Sequence, residues 1–143
     1  FGLFVGGRIT SFAAFLHRPH PRTRGLVGCS RLVTLPDWQG LGLGPRLLDC
    51  LAAAHRAVGR RVRMYSAHPN LTRQLDRSQH WKLAERPGVM RPMKGNLARW
   101  QATRPCASFE WCGPAWTDRH YAGSVLGLSD RQVVSRAATN GGN

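Results

Sequence analysis

The stretch Arg31 to Gly59, RLVTLPDWQGLGLGPRLLDCLAAAHRAVG, decides the fold. It opens as an apolar run, passes through glycines at every second position (Gly40, Gly42, Gly44), and ends with apolar residues at helical spacing. These glycines are not a Walker A loop, because no Gly-Lys-Ser/Thr follows. Their G-x-G-x-G spacing also differs from the dinucleotide fingerprint G-x-G-x-x-G. A strand that feeds a glycine turn and then a helix start is still a general way to hold an anion on backbone amides.

Working outward, Leu26 to Leu35 reads as a long central strand, apolar enough to be expected buried on both faces, and Pro36-Asp37 ends it. Leu43 to Val58 reads as a helix with Leu47, Leu48, Leu51, Ala54, His55 and Val58 on one face. Pro45 sits in its first turn and Gly59 stops it. Upstream, Phe1 to Val5 and Arg8 to Leu16 form a hairpin about Gly6-Gly7, and His17 to Arg24 is an exposed connection. Downstream, Arg61 to Ser66 is a short strand, and Pro69 starts a second helix that runs to about Gln79 with Leu71 and Leu75 as its apolar stripe. Trp81 to Leu83 and Ala107 to Cys112 are further strands, and Glu85 to Arg99 is a loop long enough for mobility or binding. Past Gly113-Pro114 the pattern fades and Asn140 to Asn143 is expected to fray. The expected organisation is therefore one domain over 1–116 and a partly disordered extension over 117–143.

At 143 residues and 42% apolar the chain has room for one cored domain, and no run of 18 apolar residues exists, so no membrane span is expected. Because the first residue is Phe1 and already reads as strand, the chain is expected to begin inside a longer protein. The formal charge of +14 comes from 19 Arg and 2 Lys against 7 acids. Most of these Arg are scattered and read as a solvated surface, while an anionic partner, RNA included, stays open, above all for the basic loop Arg86 to Arg104. Cys29, Cys50, Cys106 and Cys112 form no C-x-x-C pair, and Cys106, Cys112 and His120 match no common zinc spacing. A reduced, cytoplasmic protein without a metal is expected.

The motif and its setting closely resemble the GNAT superfamily of N-acetyltransferases, whose cofactor motif is Arg or Gln, two residues, Gly, one residue, then Gly or Ala. Gln39, Gly42 and Gly44 fill those places. Strand, bend, amphipathic helix, strand and second helix follow in that family's order over Phe1 to Cys112, with motif-level likeness over Arg31 to Val58. The resemblance implies an α/β fold: a mixed, mostly antiparallel central sheet flanked by helices. The family's first strand and first two helices, which shape the acceptor site, have no counterpart before Phe1.

It further implies acetyl-coenzyme A as acyl donor and an amine as acceptor. Gln39, Gly40, Leu41, Gly42, Leu43 and Gly44 would present main-chain N–H groups to the pyrophosphate, a task that needs little side chain and no Lys. Leu32, Val33 and Thr34 would run beside the pantetheine arm, in a slot made where the central strand and Arg61 to Ser66 splay apart. Asn70 and Arg73 match positions that touch the cofactor. An amine must lose a proton to attack, and Glu110, then His68, are the candidate acceptors. The family's Tyr on the second helix is missing: Asp76 stands near its place and Ser78 is the nearest hydroxyl. That departure keeps a second reading open, a non-catalytic acyl-coenzyme A-binding or nucleic-acid-associated module of the same fold.

Overall fold

The computed structural model describes residues 1–18, 23–86 and 106–134. The basic loop expected after Glu85 falls outside these residues save for Glu85 and Arg86, as does the end from Asn140. The strands are β1 (Gly2–Val5), β2 (Arg8–His17), β3 (Leu26–Thr34), β4 (Arg61–Ser66), β5 (Trp81–Glu85) and β6 (Ala107–Trp111). Among the described residues the helices are α1 (Leu43–Ala57), α2 (Pro69–Arg77) and α3 (Arg119–Val125), with a 3-10 turn at Pro36–Trp38. They form one six-stranded sheet in the order β1-β2-β3-β4-β6-β5, in which only β3 and β4 run parallel. This is the mixed, mostly antiparallel arrangement that the resemblance implied.

One face of the sheet is covered. α1 lies on β2, β3 and β4, and α2 on β4, β5 and β6. Leu47, Leu48 and Leu51 of α1 and Leu75 of α2 close over Ala13, Val27, Cys29, Val62, Met64 and Phe109, with Trp81 and Trp111 packed edge to face, ring centroids 5.2 Å apart. These are the alternate positions of each strand, as the pleat requires. The other face carries Phe4, Ile9, Phe12 and Leu16, all exposed among the described residues, and then a polar stretch with Arg63, Tyr65 and Glu110.

Two expectations are corrected. β3 is not buried throughout: Leu26 to Cys29 are buried, whereas Ser30 to Thr34 are half-buried or exposed. The reason is topological, because β3 loses β4 as a neighbour after Cys29. Nor do the described residues stop packing at Pro114. α3 and the helical residues 130–134 dock on α1, where Ala122 and Val133 are buried with Ala54, Ala57 and Val58. Arg119 Nε donates to the Ala57 carbonyl at 2.8 Å, so a cation caps the carbonyl end of α1.

Candidate active-site cleft

The slot begins with a defect in a ladder. β2 pairs Ala14 with Arg31 but Phe15 with Cys29, so Ser30 is an extra residue on β3, and its hydroxyl donates to the Ala14 carbonyl at 3.2 Å. A bulge bends the strand that carries it. The parallel pairing of β3 with β4 ends at that level, at Cys29 and Met64, while β4 continues with β6 to the Ser66–Ala107 pair. Beyond the bulge β3 keeps β2 on one edge and turns the N–H and C=O groups of its other edge toward the gap.

The gap leads into a cleft of about 650 Å³. Leu32, Val33 and Thr34 form its strand wall, Gln39, Gly40, Gly42, Leu43 and Gly44 its loop and helix-start wall, and His68 and Asn70 its α2 wall. The structure thus brings together ten of the residues that the sequence nominated. Leu41 is not among the lining residues: it is exposed at the loop apex.

The glycines have two different reasons. Gly40 and Gly42 have φ of 81° and 74°, in the left-handed region, and a Cβ at either would meet nothing within 4 Å. Gly42 is the N-cap of α1, yet no side chain caps the helix. The N–H groups of Leu43 and Gly44 have no intrahelical acceptor at that position, and both residues line the cleft at the positive end of a 15-residue helix. Gly44 is helical and buried, and a Cβ there would stand 2.7 Å from Thr34 Oγ1, so it lets α1 approach β3 closely. Gln39 fixes the loop to the wall by donating from Nε2 to the Thr34 carbonyl at 3.0 Å. The set of donors, the open space and the absence of a side-chain cap fit an extended, anionic ligand.

At the opposite wall, His68 is the N-cap of α2, and its Nδ1 accepts from the Leu71 N–H at 3.4 Å. A neutral imidazole accepting at Nδ1 carries its proton on Nε2, which makes that nitrogen a donor. Arg73 reaches back to Asn70 Oδ1 at 2.6 Å and lines a neighbouring depression with Gln74, Arg77 and Ser78; Asn70 and Gln74 line both hollows. Ser78 is at the other end of α2, about 15 Å along the axis from His68. Its hydroxyl accepts from the His80 N–H at 3.2 Å.

Glu110 is not part of the cleft. It lies on the face of the sheet away from α1 and α2, in a separate hollow with Arg56, Gly59, Arg60, Arg61 and Trp111. Arg61 Nε donates to its Oε1 at 2.6 Å and Arg63 Nε to its Oε2 at 3.3 Å. Both oxygens are engaged, which describes an ion pair clamping β4 to β6. Burial works against the charge on Arg63, but its hydrogen bonds to Tyr65 and Glu110 outweigh burial and raise its pKa. Sequence reading did not nominate Trp38, Pro45, Leu71 and Gln74, which also line the cleft. Gln74 is one helical turn beyond Asn70, and that spacing was the available signal. Among the described residues no three His, Cys, Asp or Glu side chains gather as for a metal, and no helix is long and apolar enough to cross a membrane.

No family model and no curated protein matches the chain. Solved structures do. One is N-acetylglutamate synthase from Neisseria gonorrhoeae, complexed with coenzyme A and N-acetyl-glutamate, at 17% identity and TM-score 0.53 over 77% of this chain and 24% of that one. Another is the ribosomal-protein-S18-alanine N-acetyltransferase from Escherichia coli, at 18% identity and TM-score 0.53 over 82% of this chain and 69% of that one. The chain therefore spans about a quarter of the first protein's length. At such identity the likeness shows the fold alone: a mixed, mostly antiparallel sheet flanked by helices, shared with these two structures.

Proposed function

We propose that this chain is an acetyl-coenzyme A-dependent N-acetyltransferase acting by direct transfer to an amine. The observation that carries the reading is the joining, in one cleft, of a bulge-opened slot between β3 and β4 with an uncapped helix start behind a left-handed glycine turn. Gly40 to Gly44 would hold the pyrophosphate on main-chain donors, and the free edge of Leu32 to Thr34 would pair with the pantetheine amides. When bound, the coenzyme supplies an acyl group activated as a thioester. The free-edge N–H groups of β3 would bind negative charge developing on the acyl oxygen, where preorganised donors act most strongly.

For the departing sulfur we assign His68 as a hydrogen-bond donor: with Nδ1 accepting from Leu71, its Nε2–H would steady the thiolate, which takes its proton from water. Glu110 is better suited to joining strands than to taking the amine's proton, and water at the open face of the slot is the acceptor we assign. Four free thiols support a reducing, cytoplasmic setting. The non-catalytic reading is favoured by one observation: no Tyr stands on α2, and Ser78 is a helix length away. Calorimetry with acetyl-coenzyme A together with turnover against an amine panel separates the two. Binding with turnover supports the enzyme, binding without turnover the module, and no binding removes both.

A further inference from the structure

On the face of the sheet opposite α1 and α2, the slot opens onto side chains the cleft does not use. Tyr65 directly follows Met64, the last β4 residue paired with β3. The Arg18 guanidinium lies over its ring, Cζ 5.1 Å from the centroid. To get there Arg18 crosses Gly28. A Cβ at Gly28 would stand 2.9 Å from Arg18 Nε and 3.4 Å from Tyr65 Cε2, so only glycine leaves the trough in which the side chain rests. The Arg18 N–H donates to the Leu26 carbonyl at 2.9 Å, fixing the start of that path.

The charges on this face do not balance. Arg61 and Arg63 are met by Glu110 and Glu85. Arg31 donates to the Ser30 carbonyl at 3.1 Å. Among the described residues no carboxylate pairs with Arg18. A guanidinium held over an aromatic ring keeps its N–H groups for a planar, singly charged partner. Carboxylate is that partner, because a bidentate carboxylate matches one guanidinium in charge and shape.

We propose that Arg18, seated on Tyr65 across Gly28, anchors a carboxylate of the acceptor, so that the acceptors are amines that also carry a carboxylate. The inference rests on the acyltransferase reading. Direct transfer needs both substrates at the slot together, and with the coenzyme in the α1–α2 cleft the other opening, beside Arg18, admits the amine.

The test pairs amino acids with their carboxamides as acceptors, in the parent, Arg18→Gln and Arg18→Lys. The parent is expected to favour the carboxylates by about tenfold or more in kcat/KM, the scale of one charge-assisted hydrogen bond. Arg18→Gln should erase that preference while acetyl-coenzyme A affinity holds, and Arg18→Lys should keep part of it. A folded Arg18→Gln that retains the preference, or a parent that acetylates carboxamides equally well, overturns the proposal. An NMR titration of the Arg18 Nε–H with N-acetylglycine against N-acetylglycinamide reads the anchor without turnover. A resonance indifferent to both overturns the anchor. A resonance that moves only with N-acetylglycine in a chain that binds no acetyl-coenzyme A supports the anchor and removes the acyltransferase reading instead.

Discussion

Gly42→Asp tests the anion cradle at its narrowest point. Gly42 sits at φ 74° and ψ 11°, a left-handed conformation that costs an ordinary side chain about 1–2 kcal/mol and Asp or Asn less. No atom lies within 4 Å of the position a Cβ would take, so the folding cost is that backbone term alone. The binding cost is larger. A carboxylate about 4 Å from a phosphate oxygen is opposed by about 4 kcal/mol at an effective dielectric of 20, close to a thousandfold in affinity. Gly42→Asn keeps the shape and the backbone tolerance without the charge and isolates the electrostatic part. Isothermal calorimetry with acetyl-coenzyme A on all three proteins, with thermal melts by circular dichroism, is the assay. The expected order of affinity is parent, then Asn, then Asp far below, with the Asp deficit shrinking as salt rises. A folded Gly42→Asp protein that binds as tightly as the parent would refute the cradle.

Glu110→Gln is expected to lower stability by up to about 1 kcal/mol, since its partners are partly exposed, and to leave the pH dependence of turnover unchanged; a flattened alkaline or acid limb in the variant would restore Glu110 as the proton acceptor. His68→Asn keeps a good helix cap and removes the imidazole, so kcat should fall tenfold or more with KM little changed. Unaltered kcat would make His68 a cap only. Asp49 accepts from Trp81 Nε1 at 2.7 Å, and burial raises its pKa against that hydrogen bond and the nearby His80. A carboxyl raised on folding favours the folded state while protonated and loses that contribution as pH climbs through its folded value. Asp49→Asn keeps the acceptor for Trp81 without a charge, and it should raise the melting temperature more at pH 7.5 than at pH 3.5; the reverse order would show the carboxylate itself to be stabilising.

Much of the cleft was legible because its signals are local. The glycine loop, the apolar strand before it and the amphipathic helix after it announce themselves within Arg31 to Gly59, and the periodicity of α1 put its Leu residues in the core. Long-range pairing was not legible. The bulge at Ser30 depends on register with β2, and nothing in Cys29-Ser30-Arg31 marks it. Glu110 was nominated by residue type and strand position, but the pleat sends it to the face opposite Phe109, where Arg61 and Arg63 meet it. α3 escaped notice because its buried face is Ala122 and Gly123, too small to register as an apolar stripe. Arg18 stood in a stretch read as an exposed connection, and its seat on Tyr65 exists only once β2, β3 and β4 lie side by side.

The most direct measurement of the central claim is product formation. The protein is incubated with acetyl-coenzyme A labelled in the acetyl group and a panel of amines, and labelled amides and free coenzyme A thiol are counted together by mass spectrometry and thiol titration. The expected result is N-acetylated amine and free thiol in equal amounts, amine-dependent and absent with Gly42→Asp. A chain that binds acetyl-coenzyme A in the cleft and yields no N-acetyl product from any amine would contradict it.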